Sequence, residues 1–383
     1  MTSKPKQMAM FSMEVENLFS ADKRVWQSLS DEDREKFIDD VFDYYRESGF
    51  PYASYTDDEL LDDFYDLQHL ATSRMSPTDL SGNKFDVILP HTAGQKLANA
   101  MMPHLWEVRC HRRRGSPMDT FNSDKYLRVA IKKVIQLQNK MSHSAIRGAL
   151  SWAEGSQKVS NFRPSVAKHI YDEYAGDGRV IDFSCGFGGR LVAAFASKRV
   201  RSYVGFEPST KTYDGLQRIV EFLFMRDLAA QWRVWGDNPY PDSEPLLDNV
   251  FIHKRGSEDN WAEIENEHMR DVDLCFSSPP YFSTEEYSYE ETQSFLKFPG
   301  KNEWRDEFLA KVMENCVNAL KKGGYLIVNV ANVDPYPELE DDTFAICKSL
   351  GVTHTETLKM AMPKLMGKGG EMKSEPVFIF KKE

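Results

Sequence analysis

At 383 residues the chain exceeds what one hydrophobic core usually holds, and its 41% hydrophobic and 12% aromatic content is that of a folded globular protein. No run approaches the roughly 20 apolar residues of a membrane helix, and the opening MTSKPKQMAMFSMEVENLF lacks a long apolar stretch, so neither a membrane span nor a secretory leader is expected. The net charge of −11 argues against a uniformly basic nucleic-acid binder, but that charge is unevenly placed.

Residues 1–70 carry an acidic excess of about ten, and the remainder is nearly neutral. In DREKFIDDVFDYYRESGF, Phe37, Val41, Tyr44 and Tyr45 recur at helical spacing. An acidic helical module over 1–80 is predicted, with either a solvated face or a protein-contact or DNA-mimicking surface. The next stretch, 81–160, reads as basic and helical. Between 109 and 147 stand Arg109, Arg112, Arg113, Arg114, Lys125, Arg128, Lys132, Lys133, Lys140 and Arg147, against two Asp. LRVAIKKVIQLQNKM has an apolar stripe at Leu127, Ile131, Val134, Ile135 and Leu137, and Ser142 is a candidate cap for a second helix. Two such helices joined by a turn would form a helix-turn-helix-like unit. The cysteines (Cys110, Cys185, Cys275, Cys316, Cys347) lie far apart with no zinc-type spacing. No metal is expected, and reduced thiols in the cytoplasm of a prokaryotic or phage-infected cell are.

From about residue 160 short apolar strands alternate with helices: RVIDFS, SYVGFE, NVFIHK, DLCFSS, GYLIVNVA and PVFIFKK. That alternation predicts a doubly wound, mostly parallel α/β domain over 161–383, with ligands at the carboxyl ends of its strands.

The first of these strands runs into Ser184-Cys185-Gly186-Phe187-Gly188-Gly189-Arg190 and an apolar helix. Glycines there let backbone approach a ligand closely. The second strand ends in Glu207, where an acid is placed to accept hydrogen bonds from ribose hydroxyls. After the third strand, Ser257 and Glu258 are candidates for an adenine edge, with Asp237 as their rival. No GxGxxG and no P-loop appear, which argues against a dinucleotide or a triphosphate.

This pattern resembles the class I methyltransferase fold. The resemblance implies a seven-stranded sheet, an N-terminal helical extension and S-adenosylmethionine as cofactor. It places the methionine part at Ser184, Gly186 and Gly188, with Asp182 closing the first strand and Glu207 on the ribose. The segment Asn161-Phe162-Arg163-Pro164 resembles the one that packs against the methionine end, which adds Phe162 to the cofactor residues.

The most informative stretch is DLCFSSPPYF, 273–282. Two prolines directly after a buried strand end it and stiffen the preceding carbonyls. An exocyclic base amine is a poor nucleophile because its lone pair is delocalised into the ring. Two fixed acceptors for its N–H groups favour a pyramidal nitrogen, and the Ser278 side chain and the Pro279 carbonyl suit that role. Tyr281 offers a stacking face for a flipped base, and Phe282 is expected to line its pocket. Ser278-Pro279-Pro280-Tyr281 resembles the Asp/Asn/Ser-Pro-Pro-aromatic signature of amino-methyltransferases, and the resemblance covers 160–383. It implies a DNA methyltransferase acting on cytosine N4, or second on adenine N6. An RNA methyltransferase on the same fold and a degenerate, non-catalytic DNA-binding protein are the alternatives. C5-cytosine chemistry needs a nucleophilic cysteine, usually after proline, and no cysteine here follows one. The catalytic region has little room for target recognition. DNA contact is therefore expected on the basic helical region, at Arg112, Arg113, Arg114, Lys132 and Lys133, and STEEYSYEETQSFLKFPGKNEW is expected to enclose the base.

Overall fold

A computed structural model describes residues 18–75, 86–110, 115–137, 139–151, 156–232, 247–361 and 374–383. The chain divides into two compact units, Met1–Ser54 with Leu105–Val159, and Tyr55–His104 with Ser160–Glu383. This differs from the expected division at 80 and 160. The acidic and basic segments are not separate modules; they fold together, and residues 55–104 belong with the sheet.

The reason lies in the apolar stripes. In the first unit, helix Asp31–Ser48 buries Phe37, Ile38, Val41, Phe42 and Tyr45, and helix Asp124–Gln136 buries Leu127, Ala130, Ile131, Val134 and Ile135. The two stripes share one core. Each buried large side chain contributes about 1.5–3 kcal/mol, which neither segment could gain alone. Ser30 and Ser142 cap their helices, the latter as expected. Charge follows the same pairing: Lys132 Nζ lies 2.8 Å from Glu35 Oε1, Arg46 Nη2 lies 2.8 Å from Asp124 Oδ1, and Arg128 pairs with Asp39.

The second unit is built on one sheet of nine strands among the described residues: β1 Arg74–Met75, β2 Val87–Ile88, β3 Arg179–Asp182, β4 Ser202–Phe206, β5 Asn249–His253, β6 Val272–Ser277, β7 Leu320–Asn329, β8 Val352–Ala361 and β9 Ser374–Lys382. Its spatial order is β1-β2-β8-β9-β7-β6-β3-β4-β5. Strands β5, β4, β3, β6 and β7 are parallel, and β9 runs antiparallel between β7 and β8. Strands β3–β9 make the seven-stranded, doubly wound sheet of the class I methyltransferase fold. The two-residue strands β1 and β2 widen it at one edge. One strand was not visible in the sequence: β8 carries His354, Glu356 and Lys359 among its apolar residues and reads as polar chain.

Strand order reverses between β3 and β6. In open α/β sheets the crevice for ligands lies at that reversal, beyond the carboxyl ends of the strands. Ile181 sits opposite Cys275, so the chain leaves β3 and β6 side by side, into 184–190 and 278–282 respectively.

Candidate active site

The exits from β3 and β6 are tied by one buried carboxylate. Asp182 is fully buried. Its Oδ1 accepts from Ser277 Oγ at 2.7 Å and from the Ser184 N–H at 3.2 Å. Its Oδ2 accepts from Arg190 Nε at 2.9 Å and from Tyr203 Oη at 2.7 Å. Four donors inside the protein use this carboxylate fully, and it does not line the cavity described below. The expectation that Asp182 holds cofactor directly is corrected: its carboxylate is spent on fixing the turns that follow β3 and β6.

Glycines in the first turn divide by what surrounds them. Gly186 (φ +55°) has open space where a side chain would stand, with nothing nearer than 3.9 Å. Gly188 (φ +76°) would place a Cβ 2.5 Å from Ile219 Cδ1, and Gly189 one 2.1 Å from the Phe162 carbonyl oxygen. Gly186 therefore faces the cavity. Gly188, expected among the cofactor residues, is not on the cavity wall; its left-handed φ at the start of the following helix accounts for the glycine.

A cavity of about 220 Å³ opens over these turns. Its walls include Phe162, Ser184, Gly186, Glu207, Ser257, Glu258, Ser278, Pro279, Pro280 and Tyr281. Most of the residues expected from the sequence thus meet in one place. Asp237, the rival for the adenine edge, lies outside the described residues, as do Arg112, Arg113 and Arg114.

Glu207 is 8% exposed and accepts from the Ser209 N–H at 2.9 Å and the Gly186 N–H at 3.1 Å. Burial pushes its carboxyl up to about 8, against the pull of those two amides. Glu258 gives one oxygen to Lys297 Nζ at 2.7 Å.

At the other end of the cavity, Ser278 Oγ donates to Tyr281 Oη at 3.3 Å, and Tyr281 Oη donates towards Glu375 Oε2 at 3.3 Å and Asn329 Oδ1 at 3.5 Å. Glu285, bonded by the Tyr287 hydroxyl, lines the same end. Burial holds the Glu285 and Glu375 carboxyls above the usual carboxylate range, and no described Lys or Arg pairs with either. Asn329, Glu285 and Glu375 were not anticipated from sequence. Asn329 had a faint signal, as a polar residue at the end of a buried strand; Glu375 had none, because it opens an unremarkable final strand.

Phe282 departs from expectation. It is 8% exposed, has φ +54° and packs edge-on against Trp304 and Tyr336 in the core. It anchors the turn rather than lining the pocket. Among the described residues no group of His, Cys, Asp or Glu is arranged to hold a metal, the cysteines are free and buried, and no helix is long and apolar enough to cross a membrane.

The walls fit S-adenosylmethionine. A buried carboxylate with only two backbone partners suits a ribose diol, and a glycine whose missing side chain leaves open space suits a closely approaching ligand. No family model and no curated protein matches the chain. Solved structures with some likeness include a SAM-dependent O-methyltransferase from Thermotoga maritima, at 13% identity and TM-score 0.36 over 59% of this chain and 67% of that one. Another is TrmN from Thermus thermophilus, at 14% and 0.35 over 58% and 49%. A third is an rRNA methylase from Streptococcus thermophilus, at 11% and 0.33 over 59% and 100%. The strand order of the chain's own sheet is that of the class I methyltransferase fold.

Proposed function

We propose that the protein transfers a methyl group from S-adenosylmethionine to an exocyclic amino group of a DNA base, with cytosine N4 the first choice and adenine N6 the second. The observation that carries this reading is the position of Ser278-Pro279-Pro280-Tyr281 at the end of β6, in one cavity with Gly186 and Glu207 from the ends of β3 and β4.

In this reading Glu207 holds the ribose, and Ser184, Gly186 and Phe162 surround the methionine part. The bound sulfonium supplies the methyl group. The chain's own task is to orient the amine and keep water out. Ser278 Oγ and the Pro279 carbonyl accept its two N–H groups, which favours a pyramidal nitrogen with its lone pair directed at the methyl carbon. The Tyr281 ring gives the extruded base a stacking face, and the prolines keep the acceptors in place. The proton released on methylation would leave through the Ser278 and Tyr281 hydroxyls to the Glu375 carboxylate, to which Tyr281 Oη donates at 3.3 Å.

Incubating the protein and cofactor with DNA or with RNA, then analysing nucleosides by mass spectrometry, tests the reading. N4-methylcytosine in DNA supports it, N6-methyladenine moves it to the second base, and methylation confined to RNA overturns the DNA substrate. DNA contact is proposed for Arg112, Arg113, Arg114 and Lys133. Lys132 pairs with Glu35 at 2.8 Å and would have to exchange that partner for a phosphate.

A further inference from the structure

Gln293 lies in the segment expected to enclose the target base, but that segment is tied elsewhere. Glu290 accepts from the Thr210 N–H at 2.9 Å and from Thr210 Oγ1 at 2.8 Å, just beyond β4. Thr292 Oγ1 donates to the Pro208 carbonyl at 3.4 Å. Lys297 Nζ reaches Glu258 at 2.7 Å and Asp259 at 3.4 Å, beyond β5. The stretch 290–297 thus bridges the ends of the two strands that carry Glu207 and Ser257.

Midway along that bridge, Gln293 is 5% exposed, lines the cavity, and has a buried Nε2 without a hydrogen-bond partner. Its backbone is fixed. The Gln293 N–H donates to the Glu290 carbonyl at 3.0 Å, and its carbonyl accepts from the Leu296 and Lys297 N–H groups. The next residue is fixed too: Ser294 Oγ accepts from Nε1 of the fully buried Trp304 at 3.1 Å. The amide therefore cannot easily retreat from the cavity wall. A buried donor left unmade costs about 1–3 kcal/mol, so a ligand that satisfies it gains what the free protein lacks.

Resting on the cofactor reading above, we propose that the side-chain amide of Gln293 reads the adenine of the cofactor, donating from Nε2 to a ring nitrogen and accepting the 6-amino group at Oε1. A carboxamide presents a donor beside an acceptor, the complement of an adenine edge. Glu258, expected with Ser257 for this role, is acceptor-only when ionised and already engages Lys297. It serves to hold the bridge, and the amide it holds does the reading.

The test is calorimetric binding of S-adenosylhomocysteine, and of its analogue with hydrogen in place of the 6-amino group, to the full chain and to Gln293→Met. Methionine keeps the length and apolar volume but removes donor and acceptor. The variant is expected to melt like wild type and to bind S-adenosylhomocysteine about tenfold more weakly, the scale of one or two neutral hydrogen bonds. Affinity for the analogue should change much less, since that ligand has already lost one contact. Unchanged affinity in Gln293→Met, or the same loss for both ligands, overturns the assignment while leaving the cofactor reading intact. A wild-type protein that binds neither ligand overturns both.

Discussion

The Ser278 hydroxyl donates to the Tyr281 hydroxyl across 3.3 Å, and the Tyr281 hydroxyl in turn points to Glu375. The first and last residues of the Ser-Pro-Pro-Tyr turn are thus one hydrogen-bonded unit. The tyrosine serves as a ring and as a polar link at once, and burial and the nearby carboxylates hold its phenol well above the usual range, so it stays protonated.

Substitutions here should separate those roles. Ser278→Ala removes an acceptor used mainly in the transition state, so single-turnover rate should fall while cofactor and DNA affinity hold. Tyr281→Phe keeps the ring and breaks the link, and should lower the rate with little loss of DNA affinity. Tyr281→Ala also removes a stacking face worth about 1–3 kcal/mol and should weaken capture of the base. Rapid-quench kinetics beside DNA-binding isotherms separate the three; wild-type rates for Ser278→Ala would remove it from the chemistry.

Glu207 predicts a pH dependence. Its carboxyl titrates near 8 in the free protein. Ribose hydroxyls donate to the ionised form, so binding favours loss of the proton. Cofactor affinity should therefore rise with pH and level off above about 8. The same raised value means that folding favours the protonated acid, so the stability it contributes is full below the unfolded pKa and is lost as pH rises through 8. Glu207→Gln should bind cofactor more weakly and lose the pH dependence of both affinity and stability, while its Nε2 faces one of the two amides that the carboxylate satisfies. Calorimetry and thermal melts across pH 6–9, the range about the cited value, check both signs.

Gly186 and Gly189 should fail in different ways. An alanine at 189 meets the Phe162 carbonyl oxygen at 2.1 Å, which the packed turn cannot absorb. A loss of about 1–3 kcal/mol of stability is expected. An alanine at 186 projects into open space, so beyond roughly 1–2 kcal/mol of left-handed backbone strain its effect should fall on cofactor affinity. Urea melts and ligand titrations on the two variants distinguish packing from contact.

The basic helix of the first unit yields a charge-swap prediction. Lys132 and Glu35 are about half exposed, so Lys132→Glu should cost at most about 1 kcal/mol, with partial recovery on adding Glu35→Lys. Reversing Arg112, Arg113 and Arg114 should weaken DNA binding and flatten its salt dependence, because fewer counterions are released. DNA affinity and salt slope unaltered by the triple reversal would remove this region as the contact surface.

What the sequence made legible follows from contiguity. Ser184 and Gly186, Glu207, and Ser278 to Tyr281 each sit where an apolar strand stops, so local pattern alone located them. Glu375 and Asn329 join the site only because β9 inserts beside β7, a pairing between residues far apart in the chain. Gln293 depends on ion pairs and caps that no periodicity reports. The acidic and basic segments were read apart because each looks amphipathic alone; that their stripes complete one core is a long-range fact. Asp182 is ambiguous in sequence, since a carboxylate at a strand end reads the same whether it faces a ligand or, as here, four donors of the protein.

The central claim is most directly tested by exposing unmodified duplex DNA to the protein and S-adenosylmethionine and quantifying methylated nucleosides, with Ser278→Ala as control. The wild-type protein is expected to yield N4-methylcytosine and the variant sharply less of it, although both bind the cofactor. A wild-type protein that binds cofactor and DNA yet leaves every exocyclic amine unmethylated would contradict it.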